Sequence, residues 1–564
     1  MGIEMNRRSV LRTAIGVASA VAATPLLSAC GDGGGGGGAV KAGGNTKTGL
    51  AAALPTYVPN TTIKPDIPSV VLANGAVTDP GFLTYPSVRS ASVKGTPGSG
   101  GSYTAVTPLW GTIPSPGNSY YQAMSKALGV DLTMKPANGV TYNTAIPPLA
   151  AAKKLPDWIQ LPTWWNATFN VGELAGTQLA DLTPYLSGDK VKAYPNLAAL
   201  PTGAWQAGVW DDKLYGIPSF ASGTAFSGAL FYRQDVFEAK GISPDSITSA
   251  DAMMALGKEL TNAKAGVWAF DDLWTYFQVA FGVATKFTTK DGKLLHKYEQ
   301  PEFLEALNWH YKLAKSGYVH PDALAGDNND AKTRFYGGKV LVSGDGTGAW
   351  NLSDAQSGQA SNKAYRRGAL PWIAADGKST PSIFLGPSTS EVSYLSKRLK
   401  PAQIKELLAV ADYLAAPWGS AEYTMVTYGV EGTDYTMANG VPTATDEGKK
   451  SVAQQTYPFL ASCQNVVSNI GMDQLTKDIC AWNAATAKYA YKPVFWNMNI
   501  VVPARYATAD AAQAVEDTIK DVYHGIKPVS AFQDAVSSWK SSGGGDQLVA
   551  WYQTNVMDKY GTGQ

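Results

Sequence analysis

Two adjacent tryptophans, Trp164 and Trp165, precede Asn166 in the stretch "TWWN". Two neighbouring indoles in a loop are hard to bury together. One ring face beside an amide suits a ligand with a flat apolar patch and a rim of hydroxyls: the ring covers the patch, and the amide serves the rim. Core packing is the competing reading of the pair. Further along, "SGDGTGAW" sets Asp345 and Trp350 around glycines that let backbone approach a ligand closely. A phosphate cradle is the rival there, but the Lys-Ser/Thr that completes such a loop is missing. Ser115 and Asn118, in the break "SPGN" after a strand-like run, add a hydroxyl and an amide.

Other chemistries are poorly supplied. "GDNNDAK" offers Asp327, Asn329 and Asp330 as oxygen ligands, yet the twelve-residue calcium loop with its closing Glu is absent, so a solvated turn is the better reading. The chain holds 4 His, and His310 and His320 have no Cys or His at ligand spacing. No metal and no cofactor is expected. Trp205 and Trp210 read as structural, while Trp418, Trp482 and Trp496 fit core and cleft wall equally.

The elements that must position these residues alternate. "YTAVTPLWG" reads as a strand, and "SYYQAMSKALGV" as a helix capped near Ser119. "DWIQLP" and "GALFYR" are further strands, the second followed by a helix that stops at Gly241. Strand-helix alternation points to an α/β sheet architecture. Later segments turn helical: Ile404, Leu407, Leu408, Ala411 and Leu414 share one face, as do Val515, Ile519, Val522 and Ile526, then Val529, Phe532, Val536 and Trp539. Residues 50–100, rich in Pro, Gly, Ser and Thr, read as an extended lead-in.

At 564 residues the chain is too long for one compact domain, and its net charge of +1 without basic runs beyond the start argues against nucleic acid as partner. Its 16 Trp and 28 Tyr suit a protein that grips flat-faced ligands. The N-terminus reads as an address. Arg7, Arg8 and Arg12 precede an apolar run from Ala14 to Leu27 that is shorter than the roughly 20 residues of a membrane span. "NRRSVLR" resembles a twin-arginine export signal, and "LSAC" resembles a bacterial lipobox in which Cys30 is lipidated. A flexible Gly-rich tether follows, so residues 1–29 are a signal peptide and 30–100 an anchor with its lead-in. That leaves Cys463 and Cys480 as an even pair in an oxidising compartment, where a disulfide would contribute about 3 kcal/mol by chain entropy; two separately buried thiols are the alternative.

Several stretches then occur in a telling order: "KKLPDWIQL", "LADLTPYL", "WDDKLYGIPSF", "GALFYRQDVFEAKGI", "FYGGKVLVSGDGTGAW" and "YGVEGTDYTM". Together they resemble a solute-binding lipoprotein of an ABC-type sugar importer, in the long subgroup that captures oligosaccharides. The resemblance implies an α/β, two-lobed periplasmic-binding-protein-like fold with a hinge and a ligand cleft between the lobes. It implies lobe 1 from 101–222 and 385–440, lobe 2 from 223–384 and 441–564, and crossings near 215–226, near 382–390 and after about residue 440. It also makes Asp271, Asp272, Trp274 and Tyr276 of "FDDLWTYF" candidate ligand contacts, and has Trp350 stack on sugar. The implied partners are a carbohydrate and the permease subunits of an importer, with a monomer held by its lipid on the outer face of the cytoplasmic membrane. A secreted glycosidase or lyase is the alternative. It needs two carboxylates at a set separation, and although Asp271, Asp272 and Asp345 are available, no pair stands out.

Overall fold

Short runs dense in aliphatic and aromatic residues become the strands of two main sheets. The computed structural model describes residues 44–562, apart from 62, 227, 328 and 329. In chain order the strands of these sheets are β1 (Ser102–Val106), β2 (Asp131–Met134), β3 (Trp158–Pro162), β4 (Gly216–Ser219), β5 (Ala229–Arg233), β6 (Trp268–Phe270), β7 (Val340–Asp345), β8 (Arg367–Ala369) and β9 (Glu391–Leu395). The first sheet runs β2-β1-β3-β9-β4, the second β6-β7-β5-β8. β1 lies parallel to β2 and β3, whereas β9 lies antiparallel to β3 and β4. In the second sheet β6 and β7 are parallel, and β5 is antiparallel to β7 and β8.

β3 and β5 are buried at every residue, which is why they read as continuous apolar runs and not as alternating ones: both faces of each sheet are covered. On the first sheet Trp158 faces a core shared with Leu407 and Leu408, while Ile159, Leu161 and Tyr394 face the opposite one. The second sheet is sandwiched likewise: along β5, Leu230 and Tyr232 face one core and Ala229 and Phe231 the opposite one. The helices Gln513–Tyr523, Val529–Ser541 and Gly545–Tyr552 build a separate cluster around Phe303 and Trp274.

The periodic faces behave as expected, with one exception. Ile404, Leu407, Leu408, Ala411 and Leu414 are all buried, as are Val515, Ile519 and Val522, but Ile526 is 68% exposed. The left-handed Gly525, with φ of 76°, follows the helix end at Tyr523, so Ile526 falls outside the period.

The chain passes from the first sheet to the second between Ser219 and Ala229 and returns into Glu391. The two crossing segments are tied together: Ser222 N donates to Ser388 O at 2.8 Å, and Gly386 N to Ala225 O at 2.9 Å. A third segment joins them, with Ser462 Oγ accepting from Phe220 N at 2.7 Å and Asn465 N donating to Ala221 O at 2.7 Å. Phe220, on the first crossing, holds a left-handed φ of 48°, a conformation disfavoured for a bulky residue. The result is a two-lobed α/β fold joined by three hydrogen-bonded crossings.

The lead-in is packed on this body. Its helix Lys47–Ala53 is capped by Thr46, whose hydroxyl accepts from Gly49 N, and Gly81–Phe82 pairs as a short parallel strand with Val467–Ser468. The expected disulfide is not formed: Cys463 and Cys480 are free thiols. Cys480 sits on the helix Asp473–Ala487 against Gly81, whereas Cys463 packs among Trp418, Tyr423 and Tyr428. Burial pushes the Cys463 thiol up to about 12 and that of Cys480 up to about 11. Cys30 and the arginine-rich start lie outside the described residues. Among those described, no helix is long and apolar enough to cross a membrane.

Candidate functional site

Register fixes which strand ends meet at the hinge. Glu391, the first residue of β9, lies opposite both Pro162, the last of β3, and Ser219, the last of β4. The carboxyl end of β3 and the crossing therefore share one edge, where ligands of open α/β sheets sit. In the second sheet Ala229 opposes Asp345, so the start of β5, the end of β7 and the end of β6 form the corresponding edge.

From the first sheet's edge rises a cluster of tryptophans. Trp110 follows β1 at the end of the short pair Pro108–Leu109, and Trp164 and Trp165 follow β3 directly. Trp110 lies 6.0 Å from Trp165 with planes 29° apart, and 6.2 Å from Trp164. Trp165 is half-buried against Tyr142 and Phe169, while Trp164 is 52% exposed and Trp110 39%. Gly139 makes room for the platform: a Cβ there would fall 2.4 Å from the Trp110 ring. Trp110 was not anticipated from the sequence, because it sits in a strand-like run where an indole reads as core.

Polar groups stand at the same edge. Asn166 Oδ1 is buried without a hydrogen-bond partner among the described residues, and so is Gln160 Oε1. Orphaned buried acceptors are costly, and a ligand hydroxyl or water at this edge satisfies them. Gln160 Nε2 donates to Glu391 Oε2. Burial pushes the Glu391 carboxyl up to about 8, against a smaller lowering by Gln160, so it can stay protonated at neutral pH. Neither Gln160 nor Glu391 carried a sequence signal; strand pairing alone makes them neighbours. Ser115 lies exposed in the loop after Trp110. Asn118 is committed locally: its Oδ1 accepts from Tyr121 N at 2.9 Å as the cap of the helix Ser119–Leu128, and its Nδ2 donates to Ser451 O at 3.2 Å.

On the second lobe a cavity of about 290 Å³ is lined by Asp271, Asp272, Tyr276, Ser343, Asp345 and Arg367 among others, so four of the anticipated residues converge. Their roles differ. Asp271 is buried and held bidentately by Arg334, both contacts at 3.1 Å, which makes it an ion-pair partner and not a free acceptor. Asp272 caps Trp274 N at 2.8 Å and keeps its second oxygen 3.6 Å from His524 Nε2. The Tyr276 ring lies over the bare backbone of Gly344, where a Cβ would sit 2.3 Å from the ring. That glycine serves a side chain of the protein, not a ligand. Arg367, ion-paired to Asp354 at 3.0 Å, stands 3.9 Å from Asp345.

Two anticipated contacts are core residues instead. Trp274 is 8% exposed and stacks on Tyr523 at 5.1 Å, and Trp350 is 6% exposed with its Nε1 donating to Arg367 O at 3.1 Å. An indole at a strand end can turn inward as readily as outward, and here the apolar walls of Phe231 and Trp482 take Trp350. His310 is buried among Trp274, Trp309 and Phe277, and His320 caps Asp322 N at 3.2 Å. Of the acidic run, Asn329 lies outside the described residues.

Comparison with known proteins gives this arrangement a context. The model of the family described as bacterial extracellular solute-binding protein matches residues 110–430. The chain is 20% identical over 461 residues to the lipoprotein LipO of Bacillus subtilis, covering 77% of this chain and 88% of that protein. It is 22% identical over 401 residues to the polygalacturonan/rhamnogalacturonan-binding protein YtcQ of the same organism, covering 65% and 74%. Among solved structures, the N-glycan transport solute binding protein NgtS of Streptococcus pneumoniae superposes with a TM-score of 0.60 at 15% identity, covering 82% of this chain and 99% of that one.

Proposed function

This chain belongs to the bacterial extracellular solute-binding protein family, and from that premise we propose that it captures an oligosaccharide and delivers it to an ABC importer. It is a binding protein, not an enzyme. The observation that carries the sugar reading is the tryptophan platform at the carboxyl ends of β1 and β3. Flat rings beside buried acceptors match the C–H face and hydroxyl rim of a pyranose. The family relative YtcQ, named for binding polygalacturonan and rhamnogalacturonan, supports the same class of ligand.

In this reading Trp110, Trp164 and Trp165 stack on the sugar, and Asn166, Gln160 and Glu391 serve its hydroxyls. Asp272, Tyr276 and Asp345 close on it from the other lobe, while Ser115 is a peripheral contact. Closure about the three crossings buries most of the ligand, and the two lobes together then form the surface read by the permease subunits. The lobes divide as 101–222 with 385–440 and 223–384 with 441–564, except that the last boundary moves toward residue 461, because Tyr457 and Leu460 pack in the first sheet's core. The protein works as a monomer, exported by the twin-arginine route and held by lipid on Cys30 at the outer face of the cytoplasmic membrane.

A thermal-shift screen of the purified protein against mono- and oligosaccharides tests the reading, since a ligand that binds only the folded state raises the midpoint. A clear shift with the sugar recovered intact is expected. A shortened sugar, or no shift across neutral and uronic-acid glycans alike, would overturn it.

A further inference from the structure

The lead-in does more than connect anchor to body: it touches both lobes and two of the three crossings. At its second-lobe end Asn74 Nδ2 donates to Ala487 O at 2.8 Å and to Ala490 O at 3.0 Å, and Ala76 is buried beside Phe226 and Trp482. At the hinge Val77 N donates to Thr224 Oγ1 at 2.9 Å, on the first crossing. Asp79 Oδ1 then accepts from Gly223 N at 2.9 Å and from Gln464 Nε2 at 3.3 Å, so one carboxylate oxygen joins the first crossing to the third. Next, Gly81 and Phe82 pair in parallel with Val467 and Ser468. At the first-lobe end Phe82 stacks on Trp418 at 4.3 Å, the Tyr85 hydroxyl bonds the Thr424 hydroxyl at 2.7 Å, and Arg89 pairs with Glu431 at 2.9 Å.

Two glycines show how closely the strap is seated. A Cβ on Gly223 would fall 2.5 Å from Val77 O, and one on Gly81 would fall 2.8 Å from Cys480 Sγ. Both positions admit only a residue without a side chain, one on the crossing and one on the strap itself.

We propose that residues 74–89 form a strap across the hinge that limits how far the two lobes swing, with Asp79 as the positioning residue that locks it to the crossings. A segment bonded to both lobes must stretch, slide or detach when they rotate. Each bond it keeps narrows the range of accessible openings, and so biases the equilibrium that a ligand selects from.

The test is a distance distribution between lobes in the full chain, by pulsed electron paramagnetic resonance, with nitroxides at Lys126→Cys and Lys258→Cys. Both lysines are exposed, on helices packed against the first and second sheet respectively. Asp79→Ala is expected to broaden the ligand-free distribution, and Asp79→Asn, which keeps the accepting oxygen, to leave it unchanged. Asn74→Ala, at an exposed position, frees the second-lobe end without touching the core and is expected to broaden it too. If the Asn74→Ala distribution superimposes on the parent's, or Asp79→Asn broadens it as much as Asp79→Ala, the strap does not set the opening. No sugar enters this measurement, so its outcome stands apart from that of the ligand screen.

Discussion

Trp110 and Trp165 lie with ring centroids 6.0 Å apart and planes inclined by 29°, although they follow two different strands of the first sheet. Parallel pairing of β1 with β3 brings their ends together, and Gly139 leaves the space beneath Trp110 empty of a side chain. Nothing in the fold needs Trp164 at 52% exposure or Trp110 at 39%, and apolar rings left in water at a strand edge are suited to a partner.

Removing an exposed ring should therefore cost binding and little else. Trp164→Ala is expected to weaken sugar binding by about 1–2 kcal/mol, roughly five- to thirtyfold in Kd. Its unfolding free energy should change by only about 0.5 kcal/mol, as for other surface substitutions. Titration calorimetry with the sugar found in the screen, alongside a urea melt, separates the two. An unchanged Kd would remove Trp164 from the site.

Asp271 should show the opposite pattern. Its carboxylate and the Arg334 guanidinium are both buried, so Asp271→Ala leaves a buried cation with only the more distant, exposed carboxylate of Asp322 at 3.7 Å. A loss of about 3–5 kcal/mol in stability is expected from such a break. Denaturant unfolding reads it directly. Binding measured well below the melting point should stay close to wild type, which would separate Asp271 from its neighbours Asp272 and Asp345.

These contrasts mark what was legible in the sequence. Strand-helix alternation pointed to an α/β sheet and helical periods to the helical C-terminal part, because burial on one or both faces leaves a pattern in neighbouring residues, whereas the division into two lobes came from the family resemblance. "TWWN" stood out because two indoles cannot easily share a loop. Glu391 and Gln160 did not, since they become neighbours only through pairing of β3 with β9, across more than two hundred intervening residues. Trp274 and Trp350 looked like cleft residues because a strand-end position does not say which way a ring turns. Packing against Tyr523 and Phe231 decides it, and those partners are distant in sequence. The cysteine pair failed for a similar reason: an even count says nothing about where each thiol lies.

Both thiols are expected to remain free in the exported protein. Trp418 and Tyr423 wall off Cys463, and Cys480 faces Gly81 on another element. Raised pKa values leave little thiolate at neutral pH, so each should react slowly with a thiol probe in the native state. Titration under denaturing, non-reducing conditions should then recover two thiols from these positions. Recovery of none would mean that they bond after all.

Replacing Cys30 by Ala tests the anchor. A lipobox without its cysteine has no site for the lipid, so the protein should leave the membrane fraction and appear in the medium with its sugar binding intact. Retention in the membrane would assign the attachment to something other than Cys30.

Glu391 sets an expected pH dependence with a definite sign. Its carboxyl is raised in the folded protein from an ordinary 4.5 to about 8, chiefly by burial. Between those values the unfolded chain has released this proton while the folded chain still holds it. Folded protein therefore binds more protons, and this group's contribution to stability is whole below about 4.5 and is lost as pH rises toward 8. The loss amounts to a few kcal/mol, because the site is only partly screened from water. Glu391→Gln keeps an acceptor for Gln160 and carries no charge at any pH. It should unfold at a higher temperature than wild type at pH 8, match it at pH 5, and flatten the profile between. Sugar binding should follow the same logic. If a protonated Glu391 donates to a ligand hydroxyl, affinity falls as pH passes 8 in the wild type and stays level in Glu391→Gln, whose amide still donates. Parallel profiles for the two proteins would mean that Glu391 is ionised at neutral pH and that its pairing with Gln160 is charge-assisted.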